Sequence, residues 1–232
     1  MQTRYWSAER APVESLLTFV LMNIKPSKYK LLFCSVAFST LLGCGGGGGS
    51  GADSTPTNTV PALPQLSATT TQLTGSVQNG VDQWADGSTA TGGQGATING
   101  VTCLVTENYH IHTQLTIIRD GQQLAIPAHV GLQGCAYETH THDKSGVLHV
   151  ETNVAKRFTL GQFFSVWGQP LTSTNIAGIP VSKLAIYIQD GTTLSAYTGD
   201  IGSIDLQAHR VIYLVIGTPP VALPNYQWDP GL

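Results

Sequence analysis

Charged side chains are scarce in this 232-residue chain, where they make up 11% of the residues. From Cys44 onward there are six basic and 12 acidic residues, and the Lys and Arg side chains form no cluster. Nucleic-acid binding needs concentrated positive charge facing the phosphates, so this composition argues against a nucleic-acid partner. Gly, Ser and Thr are abundant instead, which indicates a β-rich, loop-rich domain beside low-complexity sequence.

Signatures of common enzymes are also missing. The sequence has no phosphate-binding loop and no dinucleotide fingerprint, and Ser145 lacks the G-x-S-x-G elbow of a hydrolase nucleophile. Both methionines precede Cys44, so a copper site of the Cys-His-Met type has no methionine after that position. We therefore expect that the chain is not an enzyme, although a metal ion with an open coordination position would still allow hydrolysis.

An apolar run at residues 31–42 follows three lysines and is too short to span a bilayer comfortably. It ends in the sequence LLGC at Cys44, which resembles the lipobox of bacterial lipoproteins. The resemblance implies that residues 1–43 are a removed signal region, with Met22 well placed as the true start. It also implies lipid on Cys44 and a membrane-anchored protein of the cell envelope, facing the periplasm or the cell surface. Gly45 after the cysteine resembles outer-membrane sorting in Gram-negative cells.

Composition divides the remainder into four parts. Residues 44–68 are rich in Gly, Ser, Thr and Pro and are predicted to be a flexible linker, because they cannot bury enough apolar surface to order themselves. Residues 69–100 are predicted to be a weakly structured lead-in, with at most one or two strands. The globular domain is predicted at 101–217, followed by a Pro-rich tail at 218–232 laid on the domain.

Hydrophobic periodicity predicts mostly strands in the globular domain. Residues 109–119 alternate between apolar and polar side chains, and the Asp-Gly turn after them predicts a hairpin with residues 123–130. Further strands are predicted at 147–151, 183–189 and 210–216. The period changes to that of a helix at 160–167, between Thr159 as N-cap and Gly168 as a stop.

This order of elements predicts an α+β fold, a mixed β-sheet packed on one helix. The arrangement resembles the β-grasp fold, and an all-β sandwich is the alternative. The segments HIH, HTHDKSGVLHVE and FTLGQFFSVWG also resemble a set that recurs in exported bacterial proteins of uncharacterised function. That resemblance implies a shared domain and no particular activity.

Two cysteines, Cys103 and Cys135, follow the lipobox. An oxidising compartment favours a disulfide between them. The competing interpretation makes Cys135 a thiolate ligand of a metal ion. A disulfide would tie together the segments that lead into the two histidine pairs described next.

Six of the seven histidines fall between His110 and His149. Two pairs, His110-x-His112 and His140-x-His142, can each project two imidazoles from one face of a strand. His149 can complete a site together with Glu151 on its own strand face, and Asp143 is a further candidate as a ligand or as a partner that orients an imidazole. His129 and His209 are looser candidates.

Clustered imidazoles favour a transition metal, and we expect one copper or zinc ion. The predicted ligands are His110, His112, His140, His142 and His149, with Asp143. Three alternatives remain at this stage: a structural network of histidines in an envelope interaction module, a pH-responsive histidine surface, and a small metallohydrolase.

Overall fold

The structure is a computed structural model that describes residues 63–87 and 91–232. The described residues belong to one compact unit. The predicted signal region, Cys44 and most of the predicted linker lie outside the described residues. Within the described part of the chain, no helix is both long and apolar enough to cross a membrane.

The described residues form twelve strands and one α-helix. In chain order these are β1 (Gln65–Leu73), β2 (Val81–Asp82), β3 (Tyr109–Arg119), β4 (Gln122–Ala125), β5 (Thr139–His140), β6 (Val147–Thr152), α1 (Leu160–Trp167), β7 (Asn175–Ile176), β8 (Ile179–Pro180), β9 (Leu184–Asp190), β10 (Thr193–Ala196), β11 (Val211–Ile216) and β12 (Ala222–Trp228). The prediction of a mixed sheet with one helix is therefore confirmed.

The main sheet has eight strands, with the order β10-β9-β11-β3-β4-β2. β11 lies parallel to β3 and antiparallel to β9, and all six of its residues are buried, as expected for a central strand. β6 pairs with the first half of β3, and β5 pairs with β6. Two further strands, β6 and β5, thus extend the sheet beside the first half of β3.

Helix α1 begins and ends where the sequence predicts. The Thr159 side chain accepts a hydrogen bond from the Gln162 backbone, and the Gln162 side chain accepts one from the Thr159 backbone. Gly168 ends the helix with a φ of 71°, a conformation that glycine adopts without steric cost. The buried face of α1, which includes Phe164 and Trp167, packs into the larger hydrophobic core.

The two faces of the main sheet are covered differently. Leu115 and Ile117 of β3 join the core under the helix. Ile118 points to the other face and joins a second core with Leu223 and Tyr226 of β12. The paired strands β1 and β12 therefore cover this second face, toward which the even-numbered residues of β3 project. His110 and His112 belong to that set.

Strands β1 and β12 lie outside the predicted globular domain at 101–217. β1 begins at Gln65, inside the segment predicted to be a flexible linker, and β12 lies in the predicted Pro-rich tail. The two strands pair in parallel. Their register shifts between Leu223 and Asn225 of β12, at Pro224, which has no backbone N–H to donate. β4 is shorter than predicted because the chain leaves the sheet before Pro127.

Candidate metal centre

Three neighbouring strands place histidines on one face of the sheet. β3 pairs with β6 so that His112 lies opposite His149 and His110 lies opposite Glu151. β5 pairs with the other edge of β6, which sets His140 opposite His149. Side chains two residues apart share one face of a strand, and directly opposite residues share one face of a sheet. The strand register therefore brings these five side chains together.

The first cluster, called here the His110 group, contains His110, His112 and His149. The Nδ1 atom of His149 lies 3.2 Å from Nε2 of His110 and 3.1 Å from Nε2 of His112. His112 is buried, whereas His110 lies at the exposed rim. The His110 group is thus open to solvent on one side.

The second cluster, called here the His142 group, contains His140, His142, His149 and Glu151. The Nε2 atoms of His140 and His142 are 3.2 Å apart. Oε1 of Glu151 lies 3.5 Å from Nε2 of His140, 3.5 Å from Nδ1 of His149 and 4.0 Å from Nε2 of His142. His140 and Glu151 are buried and His142 is exposed, so this group also has a buried floor and an open rim.

Contacts on the outer side of two rings set their tautomers. Nδ1 of His140 lies 2.7 Å from the backbone oxygen of Tyr137, and Nδ1 of His110 lies 2.9 Å from Oε1 of Glu107. Both oxygens accept, so each Nδ1 holds the proton, and in the neutral ring Nε2 is left with a free lone pair. In both rings Nε2 faces the interior of the cluster.

Burial and hydrogen bonding shift the pKa values of several residues in the site. Hydrogen bonding with His140 lowers the pKa of Glu151 to about 2, against the opposing effect of its burial. Burial, with repulsion from the neighbouring His110, lowers the pKa of His112 to about 4. Burial, with repulsion from His112, lowers the pKa of His149 to about 2. Near neutral pH the carboxylate is therefore ionised, and the rings of His112 and His149 are uncharged.

The spacing of the ligand atoms suits a transition metal. Imidazole nitrogens bound tetrahedrally to zinc at about 2.0–2.1 Å lie roughly 3.3–3.4 Å from one another. Most of the contacts given above fall between 3.1 and 3.5 Å. Neutral imidazole and carboxylate are also ligand types that zinc and copper accept. These buried His and Glu groups can hold a metal ion.

Other candidates from the sequence lie elsewhere. The Asp143 carboxylate accepts hydrogen bonds from the backbone N–H groups of Ser76 and Ser145, at 2.6 and 2.8 Å, and belongs to neither group. It holds the loop beside the site and lines the same cavity as His142 and His149. His129 is exposed and also lies outside both groups. His209 contacts His112 through the backbone, where its N–H donates a hydrogen bond to the His112 carbonyl oxygen.

The predicted disulfide is present between Cys103 and Cys135, so Cys135 is not a thiolate ligand. Sequence reasoning named Glu151 only as a companion of His149, although it is central to the cluster. The available signal was its position two residues after His149 on the same strand face. Glu107 was missed, because its contact with His110 depends on the loop before β3.

A cavity of about 220 Å³ lies beside the cluster. His142 and His149 line one side, and the loop at Thr74, Gly75 and Ser76 lines another. A ligand atom approaching from this cavity would meet the exposed rim of the His142 group.

Comparisons of the chain with protein-family profiles, with characterised proteins and with solved structures give no match.

Proposed function

We propose that this domain binds a transition metal ion, zinc or copper, through the His110 and His142 groups. The observation that carries the proposal is the convergence of ring nitrogens on the carboxylate of Glu151. Nε2 of His110 and Nε2 of His140 lie 3.3 and 3.5 Å from Oε1 of Glu151. A ring nitrogen this close to an ionised carboxylate shares a cation with it, either a proton on the ring or a metal ion. A metal ion in that place would bind several of these ligand atoms at once.

A purely structural network of hydrogen bonds accounts less well for the same geometry. Each nitrogen–nitrogen contact needs a proton from one of the two rings. Nδ1 of His149 holds at most one proton, yet it faces Nε2 of both His110 and His112. Nδ1 can instead give its single lone pair to a metal ion shared with those two rings.

The ligand types favour zinc or copper over hard cations. Calcium and magnesium select oxygen ligands, whereas five imidazoles and one carboxylate suit zinc, copper or nickel. The half-buried position suits reversible loading, since His110 and His142 leave the rim open to solvent. A role in sensing, carrying or scavenging the metal fits these properties.

Calorimetric titration of the metal-stripped full chain with Zn(II) and Cu(II) tests the proposal. We expect binding tighter than about 100 μM, and a loss of at least about tenfold in His112→Ala and His142→Ala, because an imidazole ligand is removed from the site. His129→Asn is the matched control: it removes an exposed histidine outside both groups, and asparagine tolerates the positive φ at that position. Wild-type protein that binds neither metal would refute the proposal and favour the interaction module.

The anchoring of the domain belongs to the same proposal. The LLGC sequence at Cys44 supports lipidation and attachment to the bacterial envelope, as in the lipoproteins that it resembles. Metabolic labelling with a radioactive fatty acid should mark the wild-type chain and leave Cys44→Ser unlabelled. A labelled Cys44→Ser variant would exclude this anchor.

We also propose a relationship to the β-grasp fold, supported by the packing of a mixed sheet on one helix.

The cavity beside His142 and His149 favours a second candidate function, a small metallohydrolase. A hydrolytic metal site keeps one coordination position open next to a space for substrate. The test is the visible spectrum of the Co(II)-loaded chain before and after addition of acetohydroxamate, which binds open metal positions. An unchanged spectrum would exclude an open position and leave metal binding as the function.

A further inference from the structure

The histidine cluster holds more ligands than one ion can use. Five imidazoles and Glu151 supply six donor groups, while zinc in proteins takes four ligands in most sites. The donor atoms also do not form one set. His110 and His112 fall in a different group from His140 and His142, although each group is compact within 4.8 Å. As placed, the six donors cannot all surround one ion.

The residues that connect the two groups are His149 and Glu151. His149 belongs to both groups, but its Nδ1 has a single lone pair and can bind only one ion. Glu151 is less restricted because a carboxylate has two oxygens and several lone pairs. Its Oε1 lies 3.3 Å from Nε2 of His110 and 3.5 Å from Nε2 of His140, so the carboxylate lies between the two histidine pairs.

We infer that the domain binds two transition metal ions side by side, bridged by Glu151. One ion takes His110, His112 and His149, and the other takes His140, His142 and Glu151. The inference rests on the proposed function and adds a second ion to it. The first set is a three-histidine site of the kind that holds zinc, and the second is a two-histidine, one-carboxylate set. In protein centres of this type the ions are about 3.5–4 Å apart.

Each of the two ligand sets contains a histidine whose Nδ1 is bound on the side away from the proposed ion. In the first set, the Glu107 carboxylate accepts from Nδ1 of His110, and in the second set the Tyr137 carbonyl accepts from Nδ1 of His140. Such contacts fix the ring orientation and the tautomer of a metal-binding histidine. Each half of the cluster therefore has its own oriented ligand, as two ions require.

Native mass spectrometry of the metal-stripped full chain, titrated with Zn(II), tests the stoichiometry. We expect two zinc ions on the wild type and one on either His110→Ala or His142→Ala. Both substitutions remove rim residues, so the buried floor of the site is preserved. Glu151→Gln should weaken the second ion by at least about tenfold, because the bridge loses its charge. His129→Asn should keep two ions.

Each result has a definite consequence. Saturation of the wild type with one ion that both rim variants weaken would overturn the second ion and leave the proposed function standing. No zinc on the wild type, together with no copper in a parallel titration with Cu(II), would refute both. Two ions retained by both rim variants would place the second ion outside the cluster and overturn the inference. A further measurement needs no substitution. The electron paramagnetic resonance signal of the Cu(II)-loaded wild type should integrate to well below its copper content, because the unpaired spins of two adjacent Cu(II) ions couple. A full signal with two coppers bound would overturn the inference.

Discussion

Removal of the Cys103–Cys135 disulfide should destabilise the domain by an amount that the structure allows us to work out. The bridge spans 32 residues, and closing a loop of that length removes an unfolded-chain entropy worth about 3.7 kcal/mol at 25 °C. We therefore expect the Cys103→Ser/Cys135→Ser double variant to lose roughly 3–4 kcal/mol of unfolding free energy. The double variant is chosen because a single one would leave a reactive free thiol.

Urea unfolding followed by tryptophan fluorescence measures the change, since Trp84 and Trp167 pack edge to face in the core. The affinity of the folded double variant for zinc should change by less than about tenfold, because in this account the bridge acts mainly on the unfolded chain. A loss of stability below about 1 kcal/mol would refute the entropic estimate. A much larger loss of zinc affinity would show that the bridge holds the site geometry directly.

Three further predictions concern the core, the outer contacts of the site and its response to pH. Phe164→Ala should cost about 3–5 kcal/mol of unfolding free energy, because the ring is fully buried against Phe163 and Trp167. A cost below about 1 kcal/mol in the same urea experiment would mean that this face of helix α1 is not part of the core. Glu107→Gln should weaken zinc binding about tenfold by calorimetry, because the carboxylate orients the His110 ring. The midpoint of thermal unfolding should not change, because this carboxylate is half exposed. An unchanged zinc affinity would exclude the orienting role. The metal-free chain should lose stability as pH falls from about 6.5 toward about 4, because the unfolded His112 takes up a proton that the buried ring, with its pKa of about 4, resists. Urea titrations in the presence of a chelator at several pH values check this, and a flat profile across that interval would contradict it.

The local elements of this fold follow from the sequence because their signals are local. Alternation along residues 109–119 places His110 and His112 on one strand face, and the Thr159 and Gly168 caps bound the helix. The two histidine pairs could therefore be predicted as candidate ligands. Their meeting could not be derived, because it depends on the register of β3, β6 and β5, which the strand sequences alone do not specify.

The failures of sequence reasoning have physical causes too. β1 has the polar sequence QLSATTTQL, and composition alone predicts linker and lead-in there. It is ordered by pairing with β12, about 150 residues later, and local patterns carry no information on such a partner. Asp143 was predicted as a ligand, or as a partner that orients an imidazole, because it adjoins His142. Its carboxylate accepts hydrogen bonds from the backbone of Ser76 and Ser145, and the contact with Ser76 joins segments too distant in the sequence to be predicted from it.

The direction of β1 has a consequence for how the domain is presented. β1 starts at Gln65 and runs for nine residues, roughly 30 Å, before the chain reaches Thr74, Gly75 and Ser76 beside the cavity. With the anchor proposed at Cys44, the tether joins the domain at the end of β1 that is remote from the histidines. The histidines beside the cavity then lie near one end of β1, while the described chain enters the domain at the other end. A ligand that enters the cavity therefore approaches the domain about the length of this strand away from that entry point.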